Sequence, residues 1–333
     1  MKFREYEEIE GVWNEKTVSY FREQGCFDPK ILWVVTEKID GSNFAFYYDG
    51  KETKYAKRGS FIDNLSSFFR SDTMVANYEP KIIQLYNYLR VLGVVENEMI
   101  VYGELFGGAF PNFKSTVKRI NKGVYYAPNL EYYVFDILAD GKYLSVVELI
   151  EACYHAQLFC VEILKAGNFD EVKGYPNNFI STVSKRLGFE EVLNDNVTEG
   201  LVIRPNESFN INDTRVILKS KNEKFLTKSR AKTNPKEKKE KREKEIAEYL
   251  IPVLDELLLY INENRLRTVL SKIGFFSKTD FGKILELFRE DVWKDYEKEH
   301  EVKLSDDDRK LINSLLGKEC VEIWRPIFLK EAI

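Results

Sequence analysis

Lys38 is the residue best placed to do chemistry. It stands in Glu37-Lys38-Ile39-Asp40-Gly41-Ser42-Asn43, between the apolar runs Ile31-Leu32-Trp33-Val34-Val35 and Phe44-Ala45-Phe46-Tyr47-Tyr48. Both runs read as buried strands, and in the second Phe44, Phe46 and Tyr48 share a face. Lys38 then sits where a strand ends and the chain turns. Gly41 supplies the turn, since glycine adopts backbone angles that other residues resist. A lysine held there meets a bound ligand already ordered. The chemistry that needs this is covalent catalysis, with a neutral amine as nucleophile. Taken alone, the stretch is better explained as a solvated lysine beside a hairpin turn.

Further along lie Arg58, Glu104, Phe135, Asp136, Glu199, Lys219 and Lys221, each on or just after a predicted strand. Lys219 and Lys221 are two apart on a strand and point to one face. Two adjacent ammonium groups repel unless an anion lies between them, and phosphate is the natural one. They are also expected to lower the pKa of a nearby Lys38, leaving it neutral. The ordinary alternative is the solvent face of an edge strand. Glu104 and Glu199 fall in apolar strands, where an unpaired carboxylate is costly. They need a sugar hydroxyl, a cation or an arginine, and a structural salt bridge serves as well. Phe135 is either core or a stacking surface for a ligand.

The elements that must hold these residues follow from pattern. Asn14 to Gly25 reads as a short helix ended by glycine, and residues 77 to 93 as a longer one. Lys54 to Gly59 closes a third strand. Met99 to Phe106 and Glu131 to Leu138 are strong strands, Ser145 caps a helix of about twelve residues, and Asn178 to Leu187 makes another. Glu199 to Arg204 and Arg215 to Lys221 are the last strands. Strands in runs with helices inserted argue an α+β fold with mainly antiparallel sheets.

Beyond a basic stretch around Pro235 the strand signal disappears. Ile246 to Ile261, Arg265 to Gly274, Phe281 to Tyr296 and Asp306 to Ala332 read as helices. Pro252 belongs in a first turn or at a kink. Ser305 with Asp308 resembles a capping box, so Asp306-Asp307-Asp308 reads as a helix start. The expected organisation is a catalytic domain over 1–235, a basic linker over 236–245 and a helical domain over 246–333.

Length and composition bound the rest. A chain of 333 residues suggests two domains. No apolar run approaches 18 residues, and Met1 to Tyr6 lacks an apolar signal region, so a cytosolic or nuclear protein is expected. The four cysteines have no paired spacing, which argues against a disulfide framework. Cys153, His155 and Cys160 lack a fourth ligand for structural zinc. The net charge is −4, but Lys219 to Lys244 carries twelve Lys or Arg against four Glu, a local +8. Such a block suits either a phosphate-tracking surface or a solvated linker.

The pieces together resemble the covalent nucleotidyltransferase superfamily of ATP-dependent ligases and mRNA capping enzymes. Lys38-Ile39-Asp40-Gly41 matches its nucleotidyl-lysine motif, and Tyr102-Gly103-Glu104, Tyr133-Val134-Phe135-Asp136, Thr198-Glu199-Gly200-Leu201-Val202 and Leu218-Lys219-Ser220-Lys221 match its later motifs in order. The strongest resemblance is to the double-strand-type RNA ligases, the family of RNA ligase 2 and the kinetoplastid editing ligases. Ala56-Lys57-Arg58-Gly59 looks like their arginine motif, and the helical tail around Asn264-Arg265-Leu266 is similar to theirs. DNA ligases and capping enzymes carry a β-barrel there. Asp40 departs from the phage enzyme's histidine but is usual in the superfamily.

The resemblance implies roles. Lys38 is adenylated; Glu37 and the backbone at Ile39 contact adenine, and Phe135 stacks on it. Asn43 and Arg58 contact ribose or phosphate, Glu104 the ribose hydroxyls, and Asp136 belongs to the same nucleotide set. Glu199 helps hold Mg²⁺ or Mn²⁺, and Lys219 and Lys221 grip the α-phosphate. Arg265, Asp291 and Asp295 fall where the family's tail serves RNA sealing, an intra-domain salt bridge being the plain alternative. The implied partner is RNA with 3′-hydroxyl and 5′-phosphate ends, the implied enzyme an ATP-using ligase, and a monomer is expected. An mRNA guanylyltransferase, a DNA-end ligase or an inactive nucleic-acid-binding relative are the alternatives.

Overall fold

Asn14 opens the first helix of the computed structural model, α1 (Glu15–Glu23), where its side chain accepts from the Thr17 backbone N–H. Gly25, at a left-handed φ of 74°, follows the helix end, where few other residues are comfortable. The structure describes residues 1–121, 123–189, 195–226, 248–300 and 304–331. The expected linker at 236–245 lies outside them. Two compact units are present, Met1–Lys224 and Phe225–Ile333.

In the first unit, β1 (Glu10–Gly11), β13 (Leu218–Lys221), β10 (Gly200–Pro205), β2 (Trp33–Lys38) and β9 (Ile163–Gly167) form one sheet in that order. Only the β1–β13 pairing is parallel. Trp33, Val35, Leu201, Ile203 and Leu218 pack there with Phe21 and Phe169. The second sheet runs β5 (Ser60–Phe61), β4 (Thr53–Lys57), β3 (Ser42–Tyr48), β6 (Met99–Gly107), β7 (Leu130–Ala139), β8 (Lys142–Tyr143), all antiparallel. Phe44 and Phe46 fill one of its faces with Tyr132, and Ala45, Tyr47 and Tyr102 fill the other, so β3 is covered on both sides. A small hairpin joins β11 (Asn210–Ile211) to β12 (Thr214–Arg215). The α+β class with mainly antiparallel sheets is as read from the sequence.

Several boundaries differ, each for a local reason. Leu32 is exposed, so β2 begins at Trp33 and runs on through Lys38 instead of stopping at Val35. The helix expected over 77–93 starts earlier, as α2 (Asp72–Val91), because Met74 and Val75 extend its buried face. Ser145 does cap α3 (Val146–His155), with Glu148 completing a capping box. The short α4 (Phe169–Val172) follows β9. The helix expected over 178–187 shrinks to one turn, α5 (Val183–Arg186). The residues before that turn bond elsewhere: Ser181 N–H donates to Asn196 O, and Asn178 Oδ1 accepts from Asn222. The strand expected over 215–221 is split, since the Val216 N–H turns to Phe209 O.

Asp136 draws distant segments of this unit together. On β7 and fully buried, it accepts from Arg204 at 2.8 Å, Arg215 at 2.6 Å and the Tyr6 hydroxyl at 2.8 Å. Burial pushes its carboxyl up, but the two guanidinium groups outweigh that and hold it below the usual carboxylate range.

The second unit is helical throughout its described residues, with α6 (Ile251–Leu257), α7 (Glu263–Ile273), α8 (Phe281–Glu299) and α9 (Asp306–Glu331) as its main elements. Pro252 sits in the first turn of α6, where a missing N–H costs least. Asn262 caps α7, and the Asp308 N–H donates to Ser305 Oγ at the start of α9. Leu257, Leu266, Val269, Ile284, Phe288, Trp324 and Phe328 make its core.

Candidate active site

Lys38 is the last residue of β2, and in register across the sheet stand Gly200 on β10 and Lys221 on β13. Gly200 has no side chain to separate the lysines, and a Cβ there would come within 2.1 Å of Ser220 O. Glu199, one residue earlier, fills the gap from the strand end. Its Oε2 accepts from Lys38 Nζ at 2.7 Å and its Oε1 pairs with Lys221 Nζ at 2.8 Å. One buried carboxylate therefore bridges two lysines. Burial works against that charge, but Lys221 and Lys38 more than offset it and hold the Glu199 carboxyl down at about 2.

The turn after Lys38 is pinned by residues that the sequence motifs do not include. The Asp40 N–H donates to the Tyr126 hydroxyl at 2.9 Å. Asn121 Nδ2 donates to Asp40 Oδ1 at 3.0 Å and to Gly41 O at 2.7 Å. Gly41 is required for a different reason than the expected one. Its φ is not left-handed; instead, a Cβ would meet Leu105 O at 2.4 Å and Glu104 Cγ at 2.7 Å.

The charge of Lys38 also departs from expectation. Burial draws its amine down, but Glu199, Glu104 and Asp40 push harder in the other direction and leave it above the ordinary lysine value. Their spacing casts Lys219 and Lys221 as its depressants; Glu199, wedged between Lys38 and Lys221, reverses that outcome. The depression falls on Lys219, which burial and the charges of Lys221 and Lys38 bring down to about 8. Lys219 and Lys221 do share one face of β13, as their spacing requires.

Glu104 on β6 pairs in register with Asn43 on β3 and Tyr133 on β7. Burial pushes its carboxyl up; Lys38 pulls against this, and Glu199 and Asp40 add to it, to about 8. Phe135 is the extra residue of a bulge, since Val134 pairs with Gly103 and Asp136 with Tyr102. It is half-buried, with its ring centroid 5.0 Å from that of Tyr6. Arg58 follows β4 and donates from Nε to Glu5 Oε1 at 3.3 Å, close enough to Glu104 to lower its carboxyl. Glu37 is buried, and its Oε2 accepts from both the N–H and the hydroxyl of Thr182. Ile39, also buried, begins the turn.

Lys38, Glu199, Lys221, Glu104 and Asn43 thus belong to one site, with Lys219 in electrostatic reach. Asp136 does not: its carboxylate is committed to Arg204, Arg215 and Tyr6. Thr182, Asn121 and Tyr126 had no signal in the sequence, because each acts on residues 80 or more positions away.

The oxygen donors suit a hard divalent ion. Among the described residues, however, three ligand atoms within 4.8 Å of one another occur only at Glu256, Glu299 and His300 in the second unit. An ion at Glu199 would therefore complete its shell with water and nucleotide oxygens, as Mg²⁺ commonly does.

In the second unit, Arg265 is brought to both predicted aspartates. It donates to Asp295 Oδ2 at 2.5 Å, stands 3.8 Å from Asp291 Oδ2 and lies over the Tyr260 ring. Lys272 Nζ takes Asp291 from the other side at 2.5 Å. At 4% exposure the guanidinium is held inside the domain, so its first partners are these two acids.

A family model described as RNA ligase matches residues 31–221, and one described as T4 RNA ligase 2 C-terminal matches residues 244–322. Mitochondrial RNA-editing ligase 2 of Trypanosoma brucei brucei is 28% identical, over 90% of this chain and 84% of that one. RNA-editing ligase 1 of the same organism is 26% identical over 52% of this chain and 44% of its own length. Among solved structures, a Naegleria gruberi RNA ligase with pyrophosphate covers 66% of this chain and 56% of that chain, with 16% identity and a TM-score of 0.42.

Proposed function

The chain belongs to the RNA ligase family, and from that premise we propose that it joins RNA 3′-hydroxyl and 5′-phosphate ends, using ATP, through an adenylated Lys38. The observation that carries this reading is the Lys38–Glu199–Lys221 bridge: a lysine whose side chain is 23% exposed, beside a second fixed cation. Lys38 first gives its ammonium proton to solvent; the neutral Nζ then attacks the α-phosphorus of ATP, the N–P bond forms, and the P–O bond to the leaving pyrophosphate breaks. AMP then passes to an RNA 5′-phosphate, and an RNA 3′-hydroxyl displaces it. All three steps are phosphoryl transfers, which depend on positioning and charge neutralisation.

The chain's own residues supply much of both. Lys221 and Lys219 bind phosphate oxygens, and Asn43 and Glu104 face the ribose. An anion placed between Lys38 and Lys221 competes with Glu199 for both ammonium groups. That anion would itself hold Lys38 protonated, so Lys221 and Lys219 must neutralise most of its charge before the amine of Lys38 is freed. A Mg²⁺ or Mn²⁺ ion at Glu199 would supply electrophilic stabilisation of the phosphates. Nicked duplex RNA is the favoured substrate, and the chain acts as a monomer. Among the described residues no helix is long and apolar enough to cross a membrane.

The test is incubation with α-labelled ATP or GTP, then denaturing electrophoresis, then addition of nicked duplex RNA. Label from ATP on Lys38, followed by sealing, is expected. Label from GTP alone would make this a capping-type guanylyltransferase, and binding of RNA without label from either would make it an inactive relative.

A further inference from the structure

Glu37 and Thr182 are 145 positions apart, yet the Thr182 backbone N–H and hydroxyl both donate to one oxygen of the Glu37 carboxylate, Oε2, at 2.9 and 2.8 Å. The other oxygen, Oε1, is buried with no hydrogen-bond partner among the described residues, on a residue only 3% exposed. A buried acceptor without a donor is costly and is seldom left so unless a ligand completes it. An ionised carboxylate can only accept, so what completes Oε1 must bring an N–H or O–H. Two donors on Oε2 also hold the carboxylate from turning, which sets the direction of the open oxygen.

The place is informative. Glu37 immediately precedes Lys38 on β2. Burial raises the Tyr126 phenol most, and Asp40, Glu37 and Glu199 each add to it, so the Glu37 carboxylate shares an electrostatic neighbourhood with the residues around Lys38. Tyr126 is itself the residue that holds the Asp40 N–H.

We propose that Thr182 is the positioning residue for nucleobase selection: it holds Glu37 so that Oε1 accepts from the exocyclic amine of a 6-aminopurine and opposes a 6-oxo purine. In the second case the base presents an acceptor to an acceptor, and neither is satisfied. This rests on the reading that ATP enters the site at Lys38. Thr182 belongs to none of the motifs that mark the nucleotide site in the sequence, and it reaches Glu37 only through α5, beside which the fold sets it.

The test is self-nucleotidylation by the full chain with three triphosphates: ATP, the 6-oxo analogue ITP, and purine riboside triphosphate, which has no group at position 6. Thr182→Val keeps the side-chain shape and the backbone N–H but removes the hydroxyl donor; Thr182→Ser restores the donor. The wild type is expected to favour ATP over both analogues. Thr182→Val should raise KM for ATP about tenfold, the loss of one charge-assisted hydrogen bond, with kcat, and KM for purine riboside triphosphate, little changed. The ATP:ITP preference then shrinks by about the same factor, and Thr182→Ser recovers most of it. An unchanged ATP:ITP ratio in Thr182→Val would overturn the inference, as would an equal rise of KM for all three nucleotides together with earlier melting. A wild type indifferent to the 6-amino group overturns it too. A wild type that takes label from no nucleotide refutes the ligase reading itself, and this inference falls with it. Labelling by ATP with the ratio unmoved in the variant refutes the inference alone.

Discussion

Lys38 Nζ lies 2.7 Å from Glu199 Oε2, and this contact keeps the nucleophile candidate charged in the ligand-free protein. On the proposed mechanism, attack by Lys38 requires that Glu199 be drawn away from it, and an anion seated between Lys38 and Lys221 would compete for that contact.

Lys38→Ala should abolish covalent labelling by ATP. The fold should survive, because Glu199 keeps Lys221 as a partner, and the cost should be about 1 kcal/mol. Intact-mass measurement after incubation with ATP, alongside a thermal melt, checks both halves. A normal AMP adduct in the variant, mapped to another lysine, would move the nucleophile elsewhere.

Anion affinity should fall as pH rises through about 8. Lys219 is held down to about 8 in the free protein, so below that pH it is already charged and above it must take up a proton when phosphate binds. Glu104, pushed up to about 8, gains its negative charge over the same range and acts in the same direction. Calorimetric titration with pyrophosphate at pH 7 and pH 9, in buffers of different ionisation enthalpy, reads the proton uptake. Lys219→Met should weaken binding at pH 7 and leave only the Glu104 part of the pH dependence. A flat profile in the wild type would show that neither group governs binding.

Asp136→Asn should destabilise the first unit by about 3–5 kcal/mol, because Arg204 and Arg215 would be left buried with their shared charge partner gone. Asp136 is held below the usual carboxylate range. Its stabilising contribution is thus present above the unfolded value, 3.8, and is lost as pH falls through the lower folded value. Denaturant unfolding of both proteins at neutral pH and in acid measures this. Equal stability at neutral pH would remove the network from the account of the fold.

Arg265→Ala should leave self-adenylation within about twofold while slowing nick joining about tenfold or more. It also leaves Asp295 without its guanidinium partner, whereas Asp291 keeps Lys272. Single-turnover assays on pre-adenylated enzyme separate the effects from adenylation. Loss of both activities in step with a lower Tm would make the cluster purely structural.

The sequence by itself determined the position of the candidate lysine, the motif order and the class of fold. Strand periodicity placed Lys38 at a strand end and put Lys219 and Lys221 on one face, and these are local properties of the backbone. The helical signal of the tail was equally local. Charge was not, since the proton affinity of Lys38 depends on Glu199 and Glu104, which pairings between distant strands bring to it. Asp136 shows the same limit: its motif position suggested a ligand, and only the packing of β7 against Arg204 and Arg215 committed it to the interior. Thr182 was invisible for the same reason. Its partner lies 145 positions back, and a contact of that separation is decided by tertiary packing, to which no spacing rule within the chain gives access.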